Sequence, residues 1–155
     1  MGLGYVDCYA ADVPRAVTHA EFVEAFYTGS VFKLERWLLK QFMAKGSTDQ
    51  DGRQLAAGTR DDFSAWTVEG RATDQLLMCD IRGRTRSWLM VAPRPDGTGT
   101  RLYFGSAVVA RRRSSGDKRS LGVAFGALLG FHNLYSRVLL GAARSRLARK
   151  GALQS

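Results

Sequence analysis

His132 is the side chain in this sequence best placed to do chemistry. It falls on a stripe made by Leu121, Phe125, Leu128, His132, Tyr135 and Leu139, three or four residues apart, which predicts one face of a helix. An imidazole on that face titrates near neutrality, so it could act as a general acid–base or donate to a ligand carbonyl. Tyr135, nearly one turn further on, would be its polar helper. No carboxylate or nucleophile is spaced to complete a catalytic set, and a lone histidine is more often a core residue satisfied by a neighbour. An acid–base enzyme using His132 is therefore the alternative reading rather than the leading one. His19, at the start of an earlier helix, is expected to be exposed.

A second group of residues suits binding better than catalysis. Trp66, Trp88, Tyr103, Phe104 and Tyr135 could wall a pocket for a small apolar molecule, since such sites combine apolar surfaces with a few polar groups. Aromatic strand residues are also common core residues. Around Trp88, strict alternation puts Arg86, Trp88 and Met90 on one strand face and Ser87, Leu89 and Val91 on the other. Large apolar groups on both faces imply that neither is fully washed by solvent. Asp80 and Arg86 are within reach for a salt bridge across a hairpin.

Other chemistries find little support. There is no Gly-x-Ser-x-Gly, P-loop or Rossmann glycine pattern. Cys8 and Cys79 sit in no CxxC or histidine-rich cluster, so neither a metal nor a cofactor is expected. Both are read as buried free thiols, which fits a reducing, cytoplasmic compartment. The first residues, MGLGYVDCYA, lack the basic and apolar regions of a signal peptide. The apolar run 121–131 spans 11 residues, short of the roughly 20 that a bilayer requires.

The net charge of +9 is unevenly distributed: residues 1–77 sum to −3 and residues 78–155 to +12. Arg111, Arg112 and Arg113, with Lys118, Arg119 and the arginines of the last helix, form a possible anionic-surface site. No helix-turn-helix, RNP motif or zinc finger accompanies them, so no specific nucleic-acid motif is present. A solvated basic face, with cations at the negative end of a helix dipole, is the plainer account.

These residues need elements to hold them. At 155 residues the chain fits a single domain, 1–155, with room for a sizeable core. Tyr5 to Ala10 predicts an opening strand. Thr18 and Glu21 form an S/T-x-x-E capping box, and Phe22 and Phe26 share one face of the short helix that follows, ending near Gly29. Leu34, Trp37, Leu38 and Phe42 recur at helical spacing in a second helix that stops at Gly46. Residues 47–62 are polar and predict a loop, with room for a short strand around Leu55. Strands are expected over Phe63–Glu69, Gln75–Ile81, Thr85–Val91 and Arg101–Val109, with turns at Arg82-Gly83 and across residues 93–99. Leu121–Arg149 predicts one long closing helix, in which Gly122, Gly126 and Gly130 would let the backbone approach the sheet.

A strand, two short helices, an antiparallel sheet and a long final helix is the element order of the helix-grip fold. With Tyr5-Val6-Asp7, the strand Arg101-Leu102-Tyr103-Phe104 and the helical Phe131-His132-Asn133-Leu134-Tyr135, the chain resembles the START-like, polyketide-cyclase-like superfamily, and within it a bacterial family of unknown function. The resemblance implies an α+β fold, a curved antiparallel sheet around a long C-terminal helix, with a small apolar ligand held in the groove between them; the alternative it implies is a cyclase- or hydrolase-like enzyme using His132.

Overall fold

The computed structural model describes residues 5–29, 47–108 and 135–150. The opening strand β1 runs Tyr5–Val13, and α1 follows at His19–Tyr27. Next come a second helix α2 at Asp49–Ala56 and strands β2 (Asp62–Phe63), β3 (Trp66–Arg71), β4 (Gln75–Asp80), β5 (Thr85–Pro93) and β6 (Thr100–Val108). Residues 135–150 are helical throughout and are called α3. The strands form one six-stranded sheet in the order β1-β6-β5-β4-β3-β2, antiparallel at every step. The fold is α+β and of the helix-grip kind, as the element order predicts.

The first helix forms where its cap predicts. The Thr18 hydroxyl accepts from the Glu21 amide at 3.2 Å, and the Glu21 carboxylate accepts from the Thr18 amide at 2.8 Å. Two otherwise orphaned amides are thereby satisfied reciprocally. Beyond the cap, Phe22, Phe26 and Tyr27 turn into the core.

Residues 47–62 correct the sequence-based expectation, because they contain a helix rather than a loop or strand. Thr48 and Asp51 make a second capping box in α2, with an aspartate in place of the usual Glu or Gln. Leu55 is fully buried, and Gly52 lies so close to α1 that a Cβ there would stand 2.8 Å from Thr28 Cγ2. With so few apolar residues, this helix owes its place to its cap and its docking. The expected strand Phe63–Glu69 is likewise divided, into β2 and β3, by a left-handed Ser64 (φ 55°).

The register sorts the strands into two faces. The rung Asp7–Ser106–Ser87–Met78–Val68 and the neighbouring rung Tyr9–Phe104–Leu89–Leu76–Arg71 both point to the helices. Leu76, Met78, Leu89 and Leu102 on this inner face are fully buried. Helix α3 covers it with Ser136, Leu139, Leu140, Ala143 and Leu147, a stripe at helical spacing, all buried.

Arginines fasten α3 to the rest. Arg144 Nε donates to the Asp12 carbonyl at 2.8 Å, Arg146 Nη1 to Thr28 Oγ1 at 2.6 Å, and Arg15 Nε to the Leu147 carbonyl at 3.1 Å. The basic character of this helix end is thus partly engaged within the fold. Among the described residues no helix is long and apolar enough to cross a membrane.

Candidate functional site

A cavity of about 200 Å³ opens between α1, the β5–β6 part of the inner face and the first turns of the described α3. Phe26 and Tyr27 enclose it from α1, Trp66 from β3, Phe104 from β6, and Tyr135 and Leu139 from α3. The Phe26 and Phe104 rings are 4.9 Å apart between centroids, and Phe26 and Tyr27 meet edge to face at 5.2 Å, so these three rings form one continuous stretch of the wall.

Apart from Arg86, the polar groups of the cavity are hydroxyls. Ser87 and Ser106 are cross-strand neighbours on the floor, and Ser136 descends from α3 opposite them. The Ser106 hydroxyl donates to Asp7 Oδ1 at 2.6 Å, and its amide donates to the same oxygen at 3.2 Å. Tyr9 donates its hydroxyl to the other carboxylate oxygen at 3.2 Å. Burial pushes the Tyr9 hydroxyl above its ordinary value, and the Asp7 charge adds to that rise. Arg86 also borders the cavity, but its guanidinium is held by Glu69, with Nε and Nη2 each 2.9 Å from a carboxylate oxygen. The expected Asp80–Arg86 bridge is therefore replaced by Glu69–Arg86. Asp80 instead accepts from the amides of Arg84 (2.7 Å) and Thr85 (3.2 Å), holding the hairpin turn.

The aromatic residues singled out from sequence divide between the two faces. Trp66, Phe104 and Tyr135 line the cavity together. Trp88 and Tyr103 do not: each is one residue out of phase with the inner face, and their rings meet on the outer face at 6.4 Å. There Trp88 overlies Gly105, where a Cβ would stand 3.0 Å from the indole. His132 and the segment Arg111, Arg112 and Arg113 lie outside the described residues. The expected helix 34–42 and the glycines at 122, 126 and 130 lie outside them too.

Two smaller expectations change. Cys8 is exposed on the outer face of β1 and Cys79 is half-buried, so neither is the fully buried thiol expected. His19 is half-buried rather than exposed, and burial lowers its pKa against an opposing pull from the Leu89 backbone.

Phe26, Tyr27, Ser87, Ser106 and Ser136 were not picked out from sequence as site residues. A small polar residue interrupting an apolar strand face, as Ser87 does before Leu89 and Val91, was the available signal. It acquires meaning only once the register sets Ser87 beside Ser106.

A wider hollow of about 690 Å³ lies at the other end of the strands, between the β1–α1 connection and the β5–β6 turn. Its polar groups already serve the fold. Thr100 Oγ1 accepts from the Val17 amide and donates to the Arg15 carbonyl, and Arg15 holds Glu21 and the Leu147 carbonyl. It is a surface hollow made by loop packing, and the smaller aromatic cavity is the better candidate site. Among the described residues no cluster of His, Cys, Asp or Glu could hold a metal ion.

The architecture defines a helix-grip α+β protein with an aromatic, hydroxyl-bearing cavity under its last helix. No protein-family model matches the chain, and no curated protein matches its sequence. Among solved structures, the chain is similar to the protein of unknown function SA2116 from Staphylococcus aureus. The TM-score is 0.54 at 8% identity, covering 98% of both chains. Ara h 8.0201 matches with a TM-score of 0.41 at 6% identity, over 92% of this chain and 99% of that one. Likeness at such identities concerns the fold alone.

Proposed function

We propose that this protein binds a small apolar molecule in the cavity between the sheet and its C-terminal helix. The observation that carries the reading is the largely aromatic lining of Phe26, Tyr27, Trp66, Phe104, Tyr135 and Leu139 around about 200 Å³ of space. An apolar cavity of about 150 Å³ is known to stay dry and hold benzene. The volume here therefore suits a substituted single ring and is small for a sterol or a long acyl chain. The START-like resemblance points to the same groove.

The test is a ligand-observed NMR and thermal-shift comparison of single-ring aromatics with sterols and fatty acids. Single-ring compounds should raise Tm and bind in competition with one another. In Ser136→Leu, whose side chain would fill the cavity, binding should be lost while the cooperative unfolding transition is kept. Equal binding by wild type and Ser136→Leu would place the ligand elsewhere and overturn the reading.

A further inference from the structure

Two hydroxyls in the cavity stand out by what they do not touch. Ser136 is 1% exposed, and its Oγ is buried without a hydrogen-bond partner among the described residues. Ser87, 7% exposed, lines the same cavity from β5, and its hydroxyl makes no hydrogen bond among the described residues. A buried hydroxyl left unpaired is destabilising. With the Ser87 hydroxyl on the same cavity, Ser136 forms a polar pole that the fold itself does not satisfy.

We infer that Ser87 and Ser136 select a neutral, single-ring aromatic carrying one oxygen substituent of the phenol class, its ring against Phe26 and Phe104 and its oxygen between the two hydroxyls. The inference rests on the binding reading above and adds the chemistry of the ligand. Serine hydroxyls can both donate and accept, so they match a phenolic O–H, which also does both. They carry no charge to offset a buried anion. The nearest cation in the lining, Arg86, is held by Glu69, and the Asp7 carboxylate lies on the same rung behind Ser106. A carboxylate ligand would have to lose its hydration without a counter-charge and in the field of Asp7, which is costly.

Phenol, toluene and benzoate separate the terms, because phenol and toluene have nearly the same shape. In a purely apolar cavity toluene should win, since phenol must leave its water hydrogen bonds behind. Here phenol should bind the full-length protein about fivefold or more tighter than toluene, and benzoate more weakly than either, as measured by NMR titration. In Ser87→Ala/Ser136→Ala the phenol affinity should fall about tenfold while toluene binding is retained or improved. Retained toluene binding also shows that the variant keeps its cavity. Toluene binding as well as phenol, or benzoate binding best, would overturn this inference and leave the cavity reading intact. Binding of none of the three would overturn both.

Discussion

Ser136 carries opposite roles in stability and binding. Its buried hydroxyl, unpaired among the described residues, costs free energy in the ligand-free protein, and alanine is also the better helix former. Ser136→Ala should therefore stabilise the free protein by about 1 kcal/mol in urea titration, while lowering phenol affinity. A loss of stability instead would mean that the hydroxyl has a partner. Such an exchange is expected where a residue serves a ligand rather than the fold. His19 gives a second test at this scale. Its pKa is lowered, by burial first, so the folded chain holds fewer protons on it than the unfolded chain between that depressed value and about 6.5. Stability thus rises with pH through this window and falls on acidification below about 6.5. The Tm difference between about pH 7.5 and about pH 5.5 should shrink in His19→Gln. An unchanged difference would assign the acid sensitivity to other groups.

At the scale of elements, α1 and α2 show how differently two capped helices relate to their sequences. Helix α1 has both a cap and an apolar face, Phe22 and Phe26, and its sequence announces it. Helix α2 has a cap but only Leu55 and the close-packed Gly52 to dock it, so local pattern alone reads as a loop. A substitution at Gly52 distinguishes propensity from packing. Propensity alone predicts that Gly52→Ala stabilises by about 1 kcal/mol. The new Cβ would instead press on Thr28, which is buried and fixed by donating to the Glu24 carbonyl and accepting from Arg146. We expect a net loss of about 1–2 kcal/mol in chemical denaturation. A gain would mean that Thr28 yields easily and that the three-helix junction is loosely packed.

Across the whole molecule, the two ends of the chain are tied by contacts distant in sequence. Arg15 reaches the last helix, and Gly99 in the β5–β6 turn lies against the β1–α1 connection. A Cβ on Gly99 would stand 2.1 Å from the Val13 carbonyl, at a φ of +157° that L residues rarely adopt. Gly99→Ala should cost about 3 kcal/mol, seen as a lowered urea midpoint. Substitution at Gly97, whose Cβ would meet nothing within 4 Å, should cost only the strain of its positive φ, so it serves as the control. Similar losses at the two positions would remove the case for a close approach at Gly99.

The sequence by itself determined the strands β4, β5 and β6, the first helix and the α+β order, because alternation, turn residues and a capping box are local signals. It also marked Trp66, Phe104 and Tyr135 as wall residues. It did not decide that Trp88 and Tyr103 belong to the other face. With large apolar groups on both sides of β5 and β6, alternation defines two faces without naming the inner one. The helices that cover Leu89 and Leu102 make that choice. Nor could the sequence bring Ser87 and Ser136 together. They are joined by strand register and helix docking, interactions between residues far apart in the chain, and only tertiary structure makes two ordinary serines into one polar pole.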